Sequence, residues 1–152
     1  MATTYFANNY TTPMPSNPGG CISICREFSY TLLAALIIND IIKLCKIRGS
    51  GQPIVLEDFF LDIPDWDTST GLALSIGDNT TAGKFVAIQT AVGQAAGVLT
   101  MANAVVGSMP AVYTTNNDFA LKVTTAPTTS ATTGTLKGWI RFHYQGVPTT
   151  VA

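Results

Sequence analysis

The sequence predicts an all-β fold, an antiparallel β-sandwich formed by a single chain of 152 residues. Three observations carry this prediction. Apolar residues recur with a period of two in several separate runs, the spacing that sends alternate side chains to opposite faces of a strand. The runs follow one another about every ten residues, with Gly, Pro, Asn and Asp clusters between them. The chain also contains 22 Thr, a residue favoured on pleated, half-buried surfaces. Its length suits one domain and is enough to bury a core without disulfides or metals. No internal repeat is present.

Residues 1–20 hold Asn8-Asn9, Thr11-Thr12, Pro13, Pro15, Pro18 and Gly19-Gly20 with no hydrophobic period. They predict an extended arm and no folded element, with the arm spanning 1–25 and the sandwich 26–152. Phe28, Tyr30, Leu32, Ala34 and Leu36 share one face of a first strand, which Asn39-Asp40 ends in a turn. A second strand over 41–47 interleaves Lys43 and Lys46 with apolar residues, and the run from Arg48 to Pro53 breaks it. Ile54–Ile63 forms a third, in which Glu57-Asp58 disturbs the alternation and marks a bulge or a short loop. Leu72, Leu74 and Ile76 define a fourth strand, and residues 85–89 a weaker fifth. Residues 90–110, rich in Ala, Gly and Val, read as either a short helix or a loop packed on the sheet.

The last third is the clearest. Over 118–124, Phe119, Leu121 and Val123 oppose Asp118, Lys122 and Thr124. Over Thr135–Tyr144, Leu136, Ile140, Phe142 and Tyr144 oppose Lys137, Trp139, Arg141 and His143. Both are half-buried antiparallel strands.

Composition narrows the function. Apolar residues make up 47% of the chain and charged residues 11%, roughly half the usual charged share. So little charge fits a chain covered by neighbours, and equally a plain low-charge monomer. The net charge of −1 and singly scattered Lys and Arg argue against nucleic acid, which needs clustered cations. The apolar run over 28–38 is too short for a bilayer, and Gln89, Gln94, Asn103 and Pro110 interrupt the uncharged stretch over 85–117. The N-terminus lacks the layout of a secretory signal, which also leaves the glycosylation patterns at Asn9 and Asn79 idle. Cys21, Cys25 and Cys45 form no metal pattern and are expected reduced, with a Cys21–Cys25 or Cys25–Cys45 bridge as the other state.

Chemical sites are few. Glu57, Asp58, Asp62, Asp65 and Asp67 crowd into one stretch, but a calcium loop starting at Asp65 would need Gly at Thr70 and Glu at Ile76. A solvated loop or a contact with a basic neighbour is the expectation there. His143 is the only histidine and has no accompanying nucleophile motif. No catalytic residue, cofactor, metal or small-molecule substrate is expected, and the chain is read as a non-enzyme. Trp139 beside Arg141 on an outward face suits an interface anchor, since both residue types are enriched at binding hot spots. A second layer or the arm of the same chain covering Trp139 is the other reading. The interface candidates are Tyr5, Phe6 and Tyr10 in the arm, Trp66, Trp139 and Arg141.

The order of elements resembles a known family. A Thr/Asn/Pro arm leads to a strand, then Asn39-Asp40-Ile41-Ile42-Lys43-Leu44, a Gly/Pro break, Ile63-Pro64-Asp65-Trp66-Asp67-Thr68 and Leu74-Ser75-Ile76-Gly77-Asp78. Tyr113, residues 118–124, Ala126-Pro127, Thr133-Gly134-Thr135 and a final strand ending in Tyr144 follow. Over about residues 28–145 this looks like the small jelly-roll capsid decoration, or cement, proteins of tailed bacteriophages. The resemblance implies a jelly-roll sandwich on the outer surface of the virion, assembled in the host cytoplasm. It further implies bridging of neighbouring major capsid proteins, homo-oligomers (dimer or trimer) and an arm reaching across the lattice. It brings no catalytic residues. A head-fibre or tail-associated module binding host surface glycan is the alternative.

Overall fold

The computed structural model describes residues 1–10, 23–48, 52–131 and 133–145. Among these, ten strands and one short 3-10 turn appear in the order β1 (Thr4–Phe6), β2 (Ile24–Thr31), β3 (Ile41–Arg48), β4 (Ile54–Ile63), β5 (Ala73–Gly77), β6 (Val86–Gln89), β7 (Gly97–Thr100), the turn Met101–Asn103, β8 (Ala111–Tyr113), β9 (Asn116–Thr125) and β10 (Thr135–Tyr144). They form two packed sheets: β1-β3-β9-β5-β6, called sheet A, and β2-β10-β4-β7, called sheet B, with β8 also paired to β4. Most connections, such as β2 to β3, β3 to β4 and β9 to β10, cross from one sheet to the other, which is the jelly-roll winding of an antiparallel sandwich.

The inward positions fill one core. Phe119 stands at its centre, with ring centroids 5.7 Å from Phe59, 5.5 Å from Phe85 and 6.2 Å from Phe28. In β10 the predicted alternation is realised residue by residue: Leu136, Ile140, Phe142 and Tyr144 are buried, and Lys137 and Arg141 are exposed. Gly138 takes the remaining inward position. A side chain there would collide with the Phe60 carbonyl oxygen and meet the Phe28 ring at 2.9 Å, so only glycine lets β10 sit this close to β4.

Glu57-Asp58 is the bulge its pattern suggested. The register shifts so that Arg141 faces Asp58 while Phe142 faces Leu56, turning both acids to the same outer surface.

Three segments depart from the sequence reading. The first strand runs from Ile24 to Thr31 and stops before Ala34, because its partner β10 starts at Thr135, opposite Thr31. Leu32 and Leu36 are still buried, but Leu33 is 81% exposed. Residues 90–110 contain strand β7, the 3-10 turn and loop; four residues are too few to display a period.

Residues 1–10 hold the third difference. β1 adds to the edge of sheet A in parallel with β3, its Tyr5 side chain packing on the core 5.9 Å from Tyr30. The Asn8 N–H then donates to the Ser29 carbonyl of sheet B, and the Tyr10 hydroxyl donates to Asp118 at 2.6 Å. This stretch therefore clasps the open side between the two sheets. Backbone pairing of three residues and isolated anchors such as Ala7 leave no periodic signature. The rest of the predicted arm, residues 11–22, lies outside the described residues, Cys21 included.

Candidate functional site

The outer face of sheet B is set by its strand registers. One cross-strand row reads Thr100, Phe60, Trp139, Glu27, and the next Val98, Asp62, Lys137, Ser29. Trp139 is half-buried and stacks on Phe60 with ring centroids 6.0 Å apart and planes 11° from parallel. The two rings border a shallow depression of about 360 Å³ whose rim includes Asn9, Glu27, Ser29 and Lys137. The bulge acids organise the adjoining row. Arg141 contacts Asp58 at 3.1 Å and Glu57 at 3.6 Å, and His143 Nδ1 lies 2.8 Å from Glu57. Partial burial works to raise the Glu57 pKa. The hydrogen bonds from Ser23 and His143 and the nearby positive charge of Arg141 outweigh it and hold the carboxyl below its ordinary value.

The outer face of sheet A has a different character. Lys43, Lys46, Arg48 and Lys122 project there against one acid, Asp118, which pairs with Lys43 at 2.7 Å. Phe6, 56% exposed, stands on this face in register with Lys43. A groove lined by Thr4, Ile41, Lys43, Ala120, Lys122 and the 78–82 loop crosses it.

The acidic stretch that stood out in the sequence is dispersed. Glu57, Asp58 and Asp62 decorate sheet B, and Asp65 is exposed in a loop. Asp67 is completely buried and accepts N–H groups from Ser69, Gly71, Leu72, Thr128 and Thr129. Burial alone would raise its pKa, but these backbone donors hold the carboxyl far below the usual carboxylate range. Asp67 is thus a fastener between two loops. No group of three or more potential metal ligands occurs among the described residues.

A second fastener escaped sequence reading. Buried Asp78 accepts from Thr80, Thr81, the Tyr113 hydroxyl and Lys84, whose ammonium also lies 4.6 Å from the Tyr113 ring centroid. Here too the hydrogen bonds and the Lys84 charge overcome burial and depress the carboxyl pKa. Its members are 35 residues apart between Asp78 and Tyr113, so no local motif announces them.

The predicted interface residues fall into two groups. Phe6, Trp139 and Arg141 reach the surface, Phe6 on sheet A and the other two on sheet B. Tyr5 is partly buried against the core, Tyr10 is buried over Asp118, and Trp66 is wholly interior, edge-on to Tyr30. Phe60, the partner of Trp139, was missed because it follows Phe59 directly, and only the bulge decides which of the two rings turns outward. Cys25 and Cys45 are both free, the first exposed and the second buried.

No protein-family model and no curated protein sequence matches the chain. Solved structures do resemble it. A chain in the capsid of Ralstonia phage GP4 superposes with a TM-score of 0.73 at 24% identity, covering 95% of this chain and 99% of that one. A chain in the Cyanophage Pam1 capsid asymmetric unit gives a TM-score of 0.62 at 20% identity, covering 91% of this chain and 98% of that one. The likeness confirms a β-sandwich of the kind found in those capsids, over nearly the whole length of both chains.

Proposed function

We propose that this chain is a structural virion protein that binds the outer capsid surface, bridges neighbouring major capsid proteins and so stabilises a phage head. The observation that carries the reading is the sandwich it shares, almost end to end, with chains of two phage capsids. The surface supports it: Trp139 and Phe60 stack on rigid strands beside Arg141, which Glu57 and Asp58 hold in place, and Trp and Arg are residue types enriched at binding hot spots. Weak contacts of this kind gain avidity when repeated over a lattice, so a homo-oligomer engaging several sites needs no extensive single interface. The described residues present fastened carboxylates and a lone histidine paired to Glu57, and the chemistry proposed for them is structural. Assembly onto shells in the host cytoplasm belongs to the same reading.

The test is binding of the full chain to purified capsid particles that lack it, with occupancy read by gel densitometry and electron cryo-microscopy. Saturable density at regular lattice positions is expected, and Trp139→Ala should lower apparent affinity by at least about tenfold while leaving the melting temperature within a few degrees. No saturable binding overturns the proposal. The depression beside Trp139, with its polar rim, favours host surface glycan as a second reading; binding to host envelope glycan and not to shells would select it.

A further inference from the structure

The two broad faces of the sandwich carry opposite charge. Sheet A presents four cations against Asp118, and sheet B presents Glu27, Glu57, Asp58 and Asp62 against Lys137 and Arg141. In a chain of net charge −1 with 11% charged residues, most of the charged residues stand on these two faces. Lys46 and Lys122 on one face and Glu27 and Asp62 on the other close no ion pair among the described residues, although Lys46 stands across from Asp118 and Asp62 across from Lys137 in strand register. Each face adds an exposed or half-exposed aromatic ring to its charges, Phe6 on sheet A and Trp139 on sheet B.

We propose that copies of this chain associate through unlike faces, the cationic face of sheet A in one copy packing on the anionic face of sheet B in the next. Like faces repel, since each would bring charges of one sign together in a partly desolvated contact. Unlike faces attract, and they also set lysine ammonium groups against the Trp139 and Phe60 rings, a favourable cation–π arrangement. Such a contact is heterologous, so a symmetric back-to-back dimer is excluded and the copies must close into a ring or extend as a row. The Phe6 ring, in register with Lys43, gives the cationic face an apolar anchor for the contact, and the groove of Ile41 and Ala120 gives it relief.

The contact uses the Trp139 face that the proposed function gives to the capsid, so through that face one copy engages either a neighbour or the shell; a chain that self-associates but ignores shells would defeat the proposed function and leave this contact standing. Sedimentation velocity of the purified full chain, at low and high salt, supplies the first measurement. Concentration-dependent association that weakens at least about tenfold between 50 mM and 500 mM salt is expected, because screening shortens the reach of both faces. A decisive second measurement uses charge-reversed pairs. Lys46→Glu with Lys122→Glu makes both faces anionic, and Glu27→Lys with Asp62→Lys makes both cationic. Each variant alone should stay monomeric, and an equimolar mixture should recover association by alternating the two. All four side chains point outward from strands, and thermal melting verifies folding; if a reversal variant does not fold, the neutral Lys122→Gln and Glu27→Gln variants should each weaken association. A wild-type chain that is monomeric at millimolar concentration and low salt overturns the proposal. So does association that survives both reversals, or reversed variants that fail to recover when mixed.

Discussion

Phe119 touches aromatic neighbours from three other strands or loops, and its ring is what the two sheets close around. Phe119→Ala is expected to cost about 3–5 kcal/mol, read as a lower urea midpoint with an unchanged slope, because a cavity between two hydrogen-bonded sheets has little freedom to collapse. Asp67 has comparable leverage by another mechanism. Asparagine can accept with one oxygen only and would bring its own N–H donors against the amides of Gly71, Leu72 and Thr128, so Asp67→Asn should lower the melting temperature by on the order of 10 °C. The cysteines offer a test without mutation. Burial pushes the Cys45 thiol up to about 11, with Arg26 partly opposing it, so an alkylating agent at pH 8 should modify Cys25 in the native protein and spare Cys45 until urea is added. Peptide mapping by mass spectrometry distinguishes the two sites.

At the scale of elements, β1 is the informative case. It contributes three residues to sheet A, yet residues 1–10 also deliver Ala7 to the core and Tyr10 to the Asp118–Lys43 pair. Deleting residues 1–10 should therefore destabilise the sandwich by several kcal/mol, measured by chemical denaturation, where a merely pendant arm would change nothing. β10 supplies the complementary test: Gly138→Ala should be destabilising although alanine has the better strand propensity, since the added methyl meets the Phe60 backbone. These two elements also mark how far sequence reading reaches. β9 and β10 were legible because each runs ten residues with one face in the core, long enough for alternation to repeat. β1 and β7 were not, because three or four residues held by backbone pairing carry no pattern of their own. The site divides in the same way. Trp139 and Arg141 stood out on an outward face by simple alternation, while Phe60 depended on a bulge and the Asp78–Lys84–Tyr113 fastener on tertiary contact. Trp66 shows the opposite error, an aromatic in an acidic stretch that suggested a surface and lies inside.

For the whole molecule, the fastened carboxylates and buried phenols set a pH range. Asp67 and Asp78 have folded pKa values below those of the unfolded chain, so the unfolded state takes up protons first as acid is added. Their stabilisation is complete above the unfolded value of about 4 and is lost as pH falls on through the lower folded values. Tyr10, Tyr30 and Tyr113 behave in the reverse sense. Burial raises all three, Tyr30 to about 12, and hydrogen bonds to Asp118 and Asp78 raise Tyr10 and Tyr113 further. Their stabilisation is intact below an unfolded value of about 10 and declines as pH rises through the folded ones. The buried Cys45 thiol, raised in the same sense, brings the alkaline edge lower, so denaturation midpoints should form a broad plateau that falls below about pH 4 and above about pH 8.5. Asp67→Asn should flatten the acid limb and leave the alkaline limb unchanged.

The position of β10 constrains how the molecule comes into being. It is the last strand among the described residues, yet it lies in the interior of sheet B with β2 on one side and β4 on the other. While the ribosome is still making the chain, β2 and β4 have no common neighbour, and half of the sandwich waits for its keystone. Nascent chains arrested before Thr135 should remain protease-sensitive along their whole length, and protection should arrive in one step once β10 clears the exit tunnel. The sandwich would then close in a single step, with no partly closed form exposing its core along the way.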